Sequence, residues 1–496
     1  MNKDIARLSE KSLTPGARLT QLGVARPRET AVICELSKEG DESLTWLELE
    51  QWANRLAHRI AEFHVGRGAF VVISVPNGLD HIVATLATYK LGGCPMPISG
   101  RMPTAERNAM MALAAPKAVI SDAPELGGIT RAEMKRLARF PTSPPPDAIP
   151  QPFKAVGSGG STGKPKLIVA PGAFYFPPAA HPFAIVLGIA DGDRVYSPGP
   201  LYHNQAFLFS QVALFAGASV VIDERFDAER ALMAIERHRP TILNVVPTMM
   251  LRMARAPSFH TRDLSSIRAL WHMAAPCADW VKRAWIERIG ADRVRELWSA
   301  TEVTGVTTIN GEEWLRRPGS VGRGYHTEIR ILDAQRRPLP AGEVGEIYTR
   351  FNGDPPQSLY LGAAPLETID GGFASVGDLG YLDADGYLFL ADRRMDLIIS
   401  GGANIYPAEV EAVLTQFNGV ADAAVIGLKD EDLGRRVHAL IEPNAGSHLC
   451  QTALDAHLRN YLARYKVPRS YEIVEHLPRD EAGKIRRSKL RDERGG

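Results

Sequence analysis

Cysteine is scarce in this chain of 496 residues, and the four that occur stand far apart at Cys34, Cys94, Cys277 and Cys450. No CxxC pair is present, so the sequence offers neither a thioredoxin-type motif nor the usual ligand spacing of a zinc cluster. A disulfide framework is not expected in a chain of this length. We therefore expect a protein of a reducing compartment and predict a cytoplasmic location.

Long apolar runs and an excess of one charge are also lacking. Residues 1–16 contain no apolar run, which predicts that no secretory signal is present. The most apolar stretches, such as 70–75, are far shorter than the roughly 20 residues of a membrane span. Lys and Arg number 58 against 57 Asp and Glu. No overall basic field therefore favours nucleic acid, and neither nucleic acid nor a membrane span is expected.

Most of the chain alternates between strand-like and helix-like patterns. Thr45 and Glu48 form a capping-box pattern, and apolar residues recur at helical spacing from Leu49 to Ile60. A helix capped by Asp227 is expected to run through Ile235 and to stop before Pro240. Short apolar runs predict buried strands at 70–75, 118–120, 218–222 and 242–246. Such alternation predicts a mainly parallel sheet covered by helices, which is an α/β fold.

The pattern changes in two places. Residues 140–152 are rich in proline and predict an extended surface connector. After Asp333, short strands with tight turns predict antiparallel pairing, with a hairpin at 380–390. A helix–strand–helix segment follows from 407 to 463, and the basic tail 477–496 predicts a loop with a short helix. The length alone predicts two or more domains.

The segment 157–166 carries the clearest chemical signal. It contains four glycines, three hydroxyl side chains and two lysines. Glycines let several backbone N–H groups point at one anion, and hydroxyls and lysines add donors and positive charge. The Walker P-loop does not fit, because Ser158 stands at its first glycine and Pro165 follows the lysine. The Rossmann pattern fails at Thr162. The composition nevertheless predicts a polyphosphate site.

The loop resembles the phosphate loop of the adenylate-forming enzymes: acyl- and aryl-CoA synthetases, luciferases and the adenylation domains of peptide synthetases. That loop usually reads Thr-Ser-Gly-Thr-Thr-Gly-x-Pro-Lys-Gly. Here Gly159 stands at its serine position and Leu167 at its last glycine. The resemblance implies that the ATP-binding residues of the loop are Ser158, Gly159, Gly160, Ser161, Thr162, Gly163 and Lys166.

Other motifs of these enzymes follow in the same order along the chain. Residues 298–302 resemble a Tyr-Gly-x-Thr-Glu element. The resemblance makes Thr301 a catalytic contact of the α-phosphate and Glu302 the magnesium ligand, because a carboxylate beside a polyphosphate needs a hard cation between them. Trp298 and Ser299 replace the usual Tyr-Gly pair, and the resemblance assigns both to ATP binding.

Two further stretches resemble the acyl-pocket elements. Residues 200–204 resemble a Pro-Leu-x-His element, whose histidine implies a catalytic position for His203 at the mouth of the acyl pocket. Residues 272–276 resemble a Gly-Gly-Ala-Pro stretch in which both glycines are replaced. The resemblance assigns Ala275 to the nucleotide, and the acyl pocket to His203, Met273, Ala274 and Ala300.

The remaining motifs concern the ribose and the C-terminal part. Asp378 matches the aspartate that accepts from the ribose hydroxyls, and Arg393 matches the ribose-binding arginine. Met395 stands where these enzymes carry a charged hinge residue. The resemblance also assigns CoA binding to Ser400, Gly401 and Gly402, and the lysine of the adenylation step to Lys484.

The resemblance implies an α/β fold with a large N-terminal domain of sheets flanked by helices, including a small β-barrel-like subdomain, and a small mobile α+β lid. We predict the adenylation domain over 1–391, the hinge at 392–396 and the lid over 397–496. The implied reaction joins a small-molecule carboxylic acid to ATP with Mg²⁺, releases pyrophosphate, and passes the acyl group to coenzyme A. Nothing in the sequence fixes the oligomeric state, and a homodimer stays open.

The acid itself is less well defined. Residues 200–204, 224–229 and 272–277 resemble the bile-acid and steroid side-chain CoA ligases. Small residues at Ala274, Ala275, Ala300 and Gly305 are expected to leave room for a bulky acyl group. Medium-chain fatty or aryl acids are the alternative substrates, and a carrier-protein thiol is the alternative acceptor. A non-catalytic nucleotide binder is disfavoured, because the lysine, glutamate and aspartate of the motifs are all present.

Overall fold

The computed structural model describes residues 12–38, 40–159, 165–176, 181–354, 358–393, 396–400, 403–480 and 483–496, apart from the side chains of 158, 159, 165, 392 and 393. Within these ranges no helix is both long enough and apolar enough to cross a membrane. The proline-rich connector at 141–152 forms neither helix nor strand, as predicted.

Helices and strands alternate over most of the described chain. The strands are β1 (Thr30–Glu35), β2 (Asp41–Thr45), β3 (Phe70–Ser74), β4 (Cys94–Pro97), β5 (Ala118–Ser121), β6 (Lys154–Gly159), β7 (Pro165–Ala170), β8 (Arg194–Ser197), β9 (Ser219–Asp223), β10 (Ile242–Val245), β11 (Ala269–His272), β12 (Val294–Ser299), β13 (Val306–Asn310), β14 (Ser320–Gly324), β15 (Thr327–Leu332), β16 (Gly345–Phe351), β17 (Leu359–Leu361), β18 (Thr368–Ile369), β19 (Phe373–Ala374), β20 (Asp378–Leu382), β21 (Leu388–Arg393), β22 (Ile398–Ser400), β23 (Ala403–Ile405), β24 (Val420–Asp430), β25 (Gly434–Pro443) and β26 (Ser470–Ile473). The α-helices are α1 (Pro15–Ala25), α2 (Trp46–Ala61), α3 (Leu79–Lys90), α4 (Thr104–Ala114), α5 (Arg131–Met134), α6 (Pro182–Leu187), α7 (Asn204–Ala216), α8 (Ala228–His238), α9 (Pro247–Arg255), α10 (Asp279–Ile289), α11 (Gly311–Arg316), α12 (Pro407–Leu414), α13 (Gln451–Tyr461) and α14 (Arg487–Asp492).

One long sheet runs through the large part of the molecule. Its central strands lie in the order β1, β9, β8, β10, β11 and β12, and every neighbouring pair is parallel. Their carboxyl ends therefore meet at one edge, where ligands of such sheets bind. Beyond β12 the pairing becomes antiparallel through β13, β14, β21, β20, β16 and β15. These antiparallel strands are thus hydrogen-bonded directly onto the parallel ones, and the predicted barrel-like shape stays a prediction.

The predicted helices form for the reasons that the sequence gives. Thr45 accepts from the amide of Glu48, and the Glu48 carboxylate accepts from the amide of Thr45 at 2.8 Å, which confirms the capping box. Asp227 caps α8 as predicted, but the helix continues to His238. It ends where Arg239 takes a left-handed conformation with φ of 47°, directly before a proline that cannot continue a helix.

Two smaller sheets complete the large part. Strands β4, β3 and β5 are parallel, and β6, β7 and β17 are antiparallel. The β6–β7 hairpin brackets the glycine-rich segment, with Gly159 paired with Pro165. Gly157 faces Met110 so closely that a Cβ atom there would lie 2.8 Å from its sulfur. This glycine therefore packs the hairpin onto α4.

The C-terminal part has a hydrophobic core of its own. Its members, from Ile398 to Val467, come from β22 to β25, from α12 and α13, and from the segment that follows α13. Between these helices the sequence predicts a single strand, whereas the structure has the antiparallel pair β24 and β25. The extra turn forms because Asp430 accepts from the amides of Asp432 and Leu433, and Gly434 has a φ of 73°. The predicted boundaries at 391 and 397 stay predictions.

Among the described residues, the contacts that join the C-terminal part to the large part include three near α9 and α4. Arg255, the last residue of α9, donates to the carbonyl oxygens of Ala421 and, at 2.9 Å, Thr415. Arg486 pairs with Glu106 on α4 at 2.9 Å. Gly483 lies so near α9 that a Cβ atom on it would be 2.0 Å from the hydroxyl oxygen of Thr248, the second residue of that helix. Polar contacts and one close backbone approach therefore hold this arrangement.

We predict that Arg255→Ala loosens the C-terminal part. Each lost hydrogen bond has a charged donor, and such bonds contribute about 1.5–3 kcal/mol. Limited tryptic digestion after residue 393 or 394 is therefore expected to become about tenfold faster or more, because cleavage follows the open population. Mass spectrometry of the fragments locates the cut.

Arg252→Ala is the matched control for this digestion. Arg252 lies one turn earlier on α9 and is exposed. Like Arg255, it lines the crevice between α9 and the C-terminal part, but it makes no hydrogen bond to that part among the described residues. Its variant should be cut at the wild-type rate. Equal digestion rates for Arg255→Ala and wild type would contradict a holding role for Arg255.

Candidate active site

The site residues that the sequence motifs predict in the large part lie close together at the carboxyl edge of the parallel strands. The segment after β8 leads to His203, the one after β11 to Met273, and the one after β12 to Glu302. Lys166 reaches the same region from β7. Three of these segments are brought together because parallel strands end at a common edge, and the antiparallel β6–β7 hairpin brings the fourth.

Glu302 is the best-connected acidic residue of this edge. Only 8% of it is exposed, and its Oε1 accepts from the Tyr360 hydroxyl at 2.6 Å and lies 3.6 Å from Lys166 Nζ. The ammonium of Lys166 also lies 3.9 Å from the centroid of the Tyr360 ring. Ser358 donates to the carbonyl oxygen of Glu302 at 2.9 Å. Neither Tyr360 nor Ser358 carried a signal in the sequence, because both come from a short strand region far along the chain.

The donor set around Glu302 fits Mg²⁺. Magnesium is usually held by one or two carboxylates, with water and substrate phosphates as the other ligands. Glu302 offers one carboxylate beside the strand hairpin that brackets the glycine-rich segment. The Lys166 ammonium that now neutralises it is a group that a polyphosphate attracts.

Thr301 and Ser299 flank the turn that presents Glu302. Thr301 is half-buried beside it. Ser299 donates to the carbonyl oxygen of Gly305 at 2.8 Å, so its hydroxyl closes the turn. Gly305 itself packs against neighbouring strands, since a Cβ atom there would lie 2.7 Å from both Thr327 and Thr349. The space that the missing side chain of Gly305 leaves is therefore filled by these two threonines.

The predicted ribose residues are neighbours across one pair of strands. Asp378 begins β20 and is paired in register with Arg393 of β21. Asp378 Oδ2 accepts from the Trp298 indole at 3.1 Å. Gly377, with a φ of 87°, makes the turn that delivers Asp378. Trp298, assigned to ATP binding, thus holds the carboxylate that is expected to bind the ribose.

His203 lies where the C-terminal part approaches the sheet edge. Burial lowers its pKa to about 4, while Asp480 acts to raise the pKa and Lys484 to lower it further. Both residues of the C-terminal turn are therefore close enough to act on the imidazole. Its Nε2 atom is buried and finds no hydrogen-bond partner among the described residues. The turn that carries Lys484 therefore lies near His203 in this conformation.

A tight turn fixes the backbone of Lys484. Its amide donates to Asp480 Oδ1 at 2.8 Å, and Gly483 takes a φ of 74°. Arg479 donates to the carbonyl oxygen of Gly483 at 2.8 Å and forms an ion pair with Asp422 of β24. The Pro-Arg and Gly-Lys parts of the sequence motif are therefore one structural unit, and Asp422 is the partner that the sequence did not reveal.

The segment after β11 keeps a glycine-like conformation without glycine. Ala274 has a φ of 78°, where the related motif carries glycine. Met273 and Ala275 are half-buried beside it, and Ala300 is half-buried on the neighbouring segment. Ala274 therefore holds a conformation that glycine adopts without penalty, at a cost of about 1–2 kcal/mol in strain.

Several predicted residues lie outside the described part of the chain. These are Gly160, Ser161, Thr162, Gly163, Met395, Gly401 and Gly402. For Ser158, Gly159 and Arg393 the backbone is described and the side-chain surroundings are not. Ser400 ends β22 and is paired with Ala403 across a hairpin. The CoA-binding and hinge assignments stay predictions.

Comparison with known proteins extends the similarity over nearly the whole chain. The family described as AMP-binding enzyme matches residues 21–353, and its C-terminal domain matches 409–484. A 2-succinylbenzoate–CoA ligase of Bacillus licheniformis is 30% identical over 95% of this chain and 98% of its own length. A feruloyl-CoA synthase of Amycolatopsis is 30% identical over 94% of this chain and 96% of its own.

A solved structure shares the fold. The o-succinylbenzoate CoA synthetase of Bacillus subtilis, in complex with its acyl-adenylate intermediate, superposes with a TM-score of 0.80 at 27% identity, covering 98% of this chain and 99% of that one. The predicted α/β fold with a small C-terminal part is thereby confirmed. The chain therefore belongs to the AMP-binding enzyme family, as an acid–thiol ligase of the AMP-forming acyl-CoA synthetase type.

Proposed function

We propose that this enzyme activates an aromatic carboxylic acid with ATP and transfers the acyl group to coenzyme A. The observation that carries the proposal is the meeting of Lys166, Glu302 and His203 at one sheet edge with Lys484 from the C-terminal part. These groups come from separate segments and supply the positive charge and the cation-binding carboxylate that two anionic reactants need. The two similar ligases whose names specify aryl acids support an aromatic substrate.

The first half-reaction is a phosphoryl-centred displacement. A carboxylate oxygen of the acid bonds to the α-phosphorus of ATP, and the bond from that phosphorus to the bridging oxygen breaks, so that pyrophosphate leaves. Both reactants are anions, and positioning and charge stabilisation therefore dominate the barrier. In our proposal Lys484, Lys166, Thr301 and the glycine-rich loop lower that barrier.

Glu302 would hold magnesium, which supplies charge neutralisation on the phosphate oxygens. When the polyphosphate is bound, Lys166 exchanges the Glu302 carboxylate for phosphate oxygens. Tyr360 keeps its hydrogen bond and orients Glu302 during that exchange. The nucleotide is oriented by Asp378 and Arg393, which accept from and donate to the ribose, and by the backbone near Ala275.

The second half-reaction needs a different arrangement of the C-terminal part. We propose that it rotates near Met395, which removes Lys484 and brings Ser400, Gly401 and Gly402 to the adenylate. The CoA thiolate then attacks the acyl carbon, and AMP leaves. Such a rotation gates two chemistries at one site. Its first requirement is release of the contacts that Arg255 and Arg486 make with their partners.

The identity of the acid is tested by AMP release with and without CoA. The panel contains ferulate, benzoate, octanoate and cholate, each supplied with ATP and Mg²⁺. We expect the aromatic acids to give CoA-dependent AMP and the matching thioester. Cholate as the preferred acid would restore the steroid assignment that the sequence suggests, and octanoate would give the medium-chain alternative. AMP release that is indifferent to CoA points to a carrier-protein acceptor.

Lys484→Ala is predicted to cripple adenylation and to spare thioester formation. Removing one charge-assisted donor from a site of developing charge typically costs about 2.7–4 kcal/mol, or about 10²–10³ in rate. ATP–pyrophosphate exchange measures the first step, and synthetic acyl adenylate with CoA measures the second. Lys489→Ala is the control, because Lys489 is an exposed lysine of α14, and this variant should keep both rates.

Equal loss of both half-reactions in Lys484→Ala would contradict the role of Lys484 in adenylation. A wild-type rate of ATP–pyrophosphate exchange in this variant would contradict it as well. Gly402→Leu should show the opposite pattern, because a side chain there would obstruct CoA without touching ATP. The two variants together therefore separate the two half-reactions.

Trp298→Phe is predicted to weaken ATP binding. The variant removes the indole donor from Asp378, and a hydrogen bond to a charged group contributes about 1.5–3 kcal/mol. We expect KM for ATP to rise by about tenfold or more, with little change in KM for the acid. Trp52→Phe is the matched control, because its indole donates to the backbone oxygen of Met134 instead. Unchanged KM for ATP in Trp298→Phe would remove Trp298 from the nucleotide site.

A further inference from the structure

We infer that Lys154 is a positioning residue of the adenylation step: its buried ammonium holds Asn204, and with it the His203 turn, where the carboxylic acid has to bind. Nothing in the motifs points to this lysine. It stands four residues before Ser158, at the start of the strand that leads into the glycine-rich segment.

The strand register places Lys154 on the side of the sheet that faces the site. In β6 and β7, Lys154 is paired with Ala170 and Ser158 with Lys166. Residues at even spacing along a strand share one face, so Lys154 and Lys166 lie on the same face of the hairpin. That face carries the Lys166 contact with Glu302.

Lys154 is nearly inaccessible to water and is not neutralised by a direct ion pair. It is 2% exposed, and its ammonium donates to Asn204 Oδ1 and lies 5.5 Å from the centroid of the Phe153 ring. Among the described residues no carboxylate lies within 4.0 Å of it. A buried ammonium without such a partner opposes folding by several kcal/mol.

The surrounding charges do not remove that cost. Burial lowers the pKa of Lys154 to about 8, and the more distant Glu302 acts in the opposite direction. Lys166 already pairs with Glu302, and the imidazole of His203 has its pKa lowered to about 4 and is neutral at pH 7. Asn204 opens α7, whose amino end adds a partial positive charge. The free protein thus keeps a buried cation that only the distant, already paired Glu302 helps to balance.

An anion at this site would compensate the charge. The carboxylate of the acid is the anion that the adenylation step brings next to His203 and Asn204. Asn204 connects Lys154 to the acid site, because it directly follows His203 and its side-chain oxygen accepts from the Lys154 ammonium. A purely structural lysine would instead be expected to contribute to folding.

The two roles predict opposite effects of Lys154→Met on stability. Methionine fills a similar volume without a buried charge, so a positioning lysine that opposes folding gives a thermal midpoint equal to or above that of wild type at pH 7. The folded pKa, about 8, lies below the ordinary value of 10.5. Between these values the unfolded chain binds more protons, so wild-type stability rises with pH. Any advantage of the variant should therefore shrink from pH 8 towards 10.5.

Kinetics of the full-length protein complete the test, with benzoate as the probe acid at saturating ATP. We expect Lys154→Met to raise KM for benzoate by about tenfold or more, as for loss of a hydrogen bond from a charged donor. KM for ATP should change by less than about threefold, because effects at separate sites are nearly independent. Asn204→Ala should have the same effect, and the double variant should be no worse than the more severe single variant. Lys135→Met, at an exposed position, is the control.

Three results would overturn the inference: a thermal midpoint several degrees below wild type, equal increases in KM for both substrates, or an unchanged KM for benzoate. The inference rests on the proposed adenylation of an aromatic acid, and the two can fail separately. If wild type activates no acid of the panel, the proposed function fails. The thermal midpoint of Lys154→Met still shows whether the charge of Lys154 lowers the stability of the folded protein.

Discussion

The contact between Lys166 and Glu302 is the interaction on which the site depends. It joins the hairpin around the glycine-rich segment to the end of β12, and these elements belong to different sheets. Tyr360 reinforces the contact from a third segment through its hydrogen bond to Glu302. A charged pair at this junction is suited to the reaction, since an incoming polyphosphate can displace the carboxylate from Lys166 while Tyr360 keeps Glu302 in place.

Excess positive charge is the second constraint on this edge. Lys154, Lys166 and the amino end of α7 all face a region that must receive two anions. Preorganised charge of this kind costs stability in the free protein and lowers the barrier when the reactants are bound. In our proposal the C-terminal turn adds Lys484 only in the arrangement held by Arg255 and Arg486, so that the full positive charge is assembled for one half-reaction.

The sequence predicted most of the local structure and the motif residues, and missed the contacts between distant segments. The capping box of α2 and the apolar runs of β3, β9 and β10 depend on residues close in sequence, so their patterns were sufficient. The partners of the site are different. Tyr360 lies 58 residues from Glu302, and Asp422 lies 57 from Arg479. A tyrosine or aspartate at such a distance carries no periodic signal, and only the folded chain shows which one is used.

Small residues near the site also show that sequence alone does not reveal what a residue contacts. The sequence treats Ala274 and Gly305 alike, as small residues that leave space. The structure separates them, because Ala274 occupies a left-handed position whereas Gly305 leaves space for two threonines of adjacent strands. Size alone therefore does not define the acyl pocket. In our proposal the acid that the pocket selects depends on the backbone after β11 and on how firmly Asn204 and His203 are held, and both of these are properties of contacts rather than of composition.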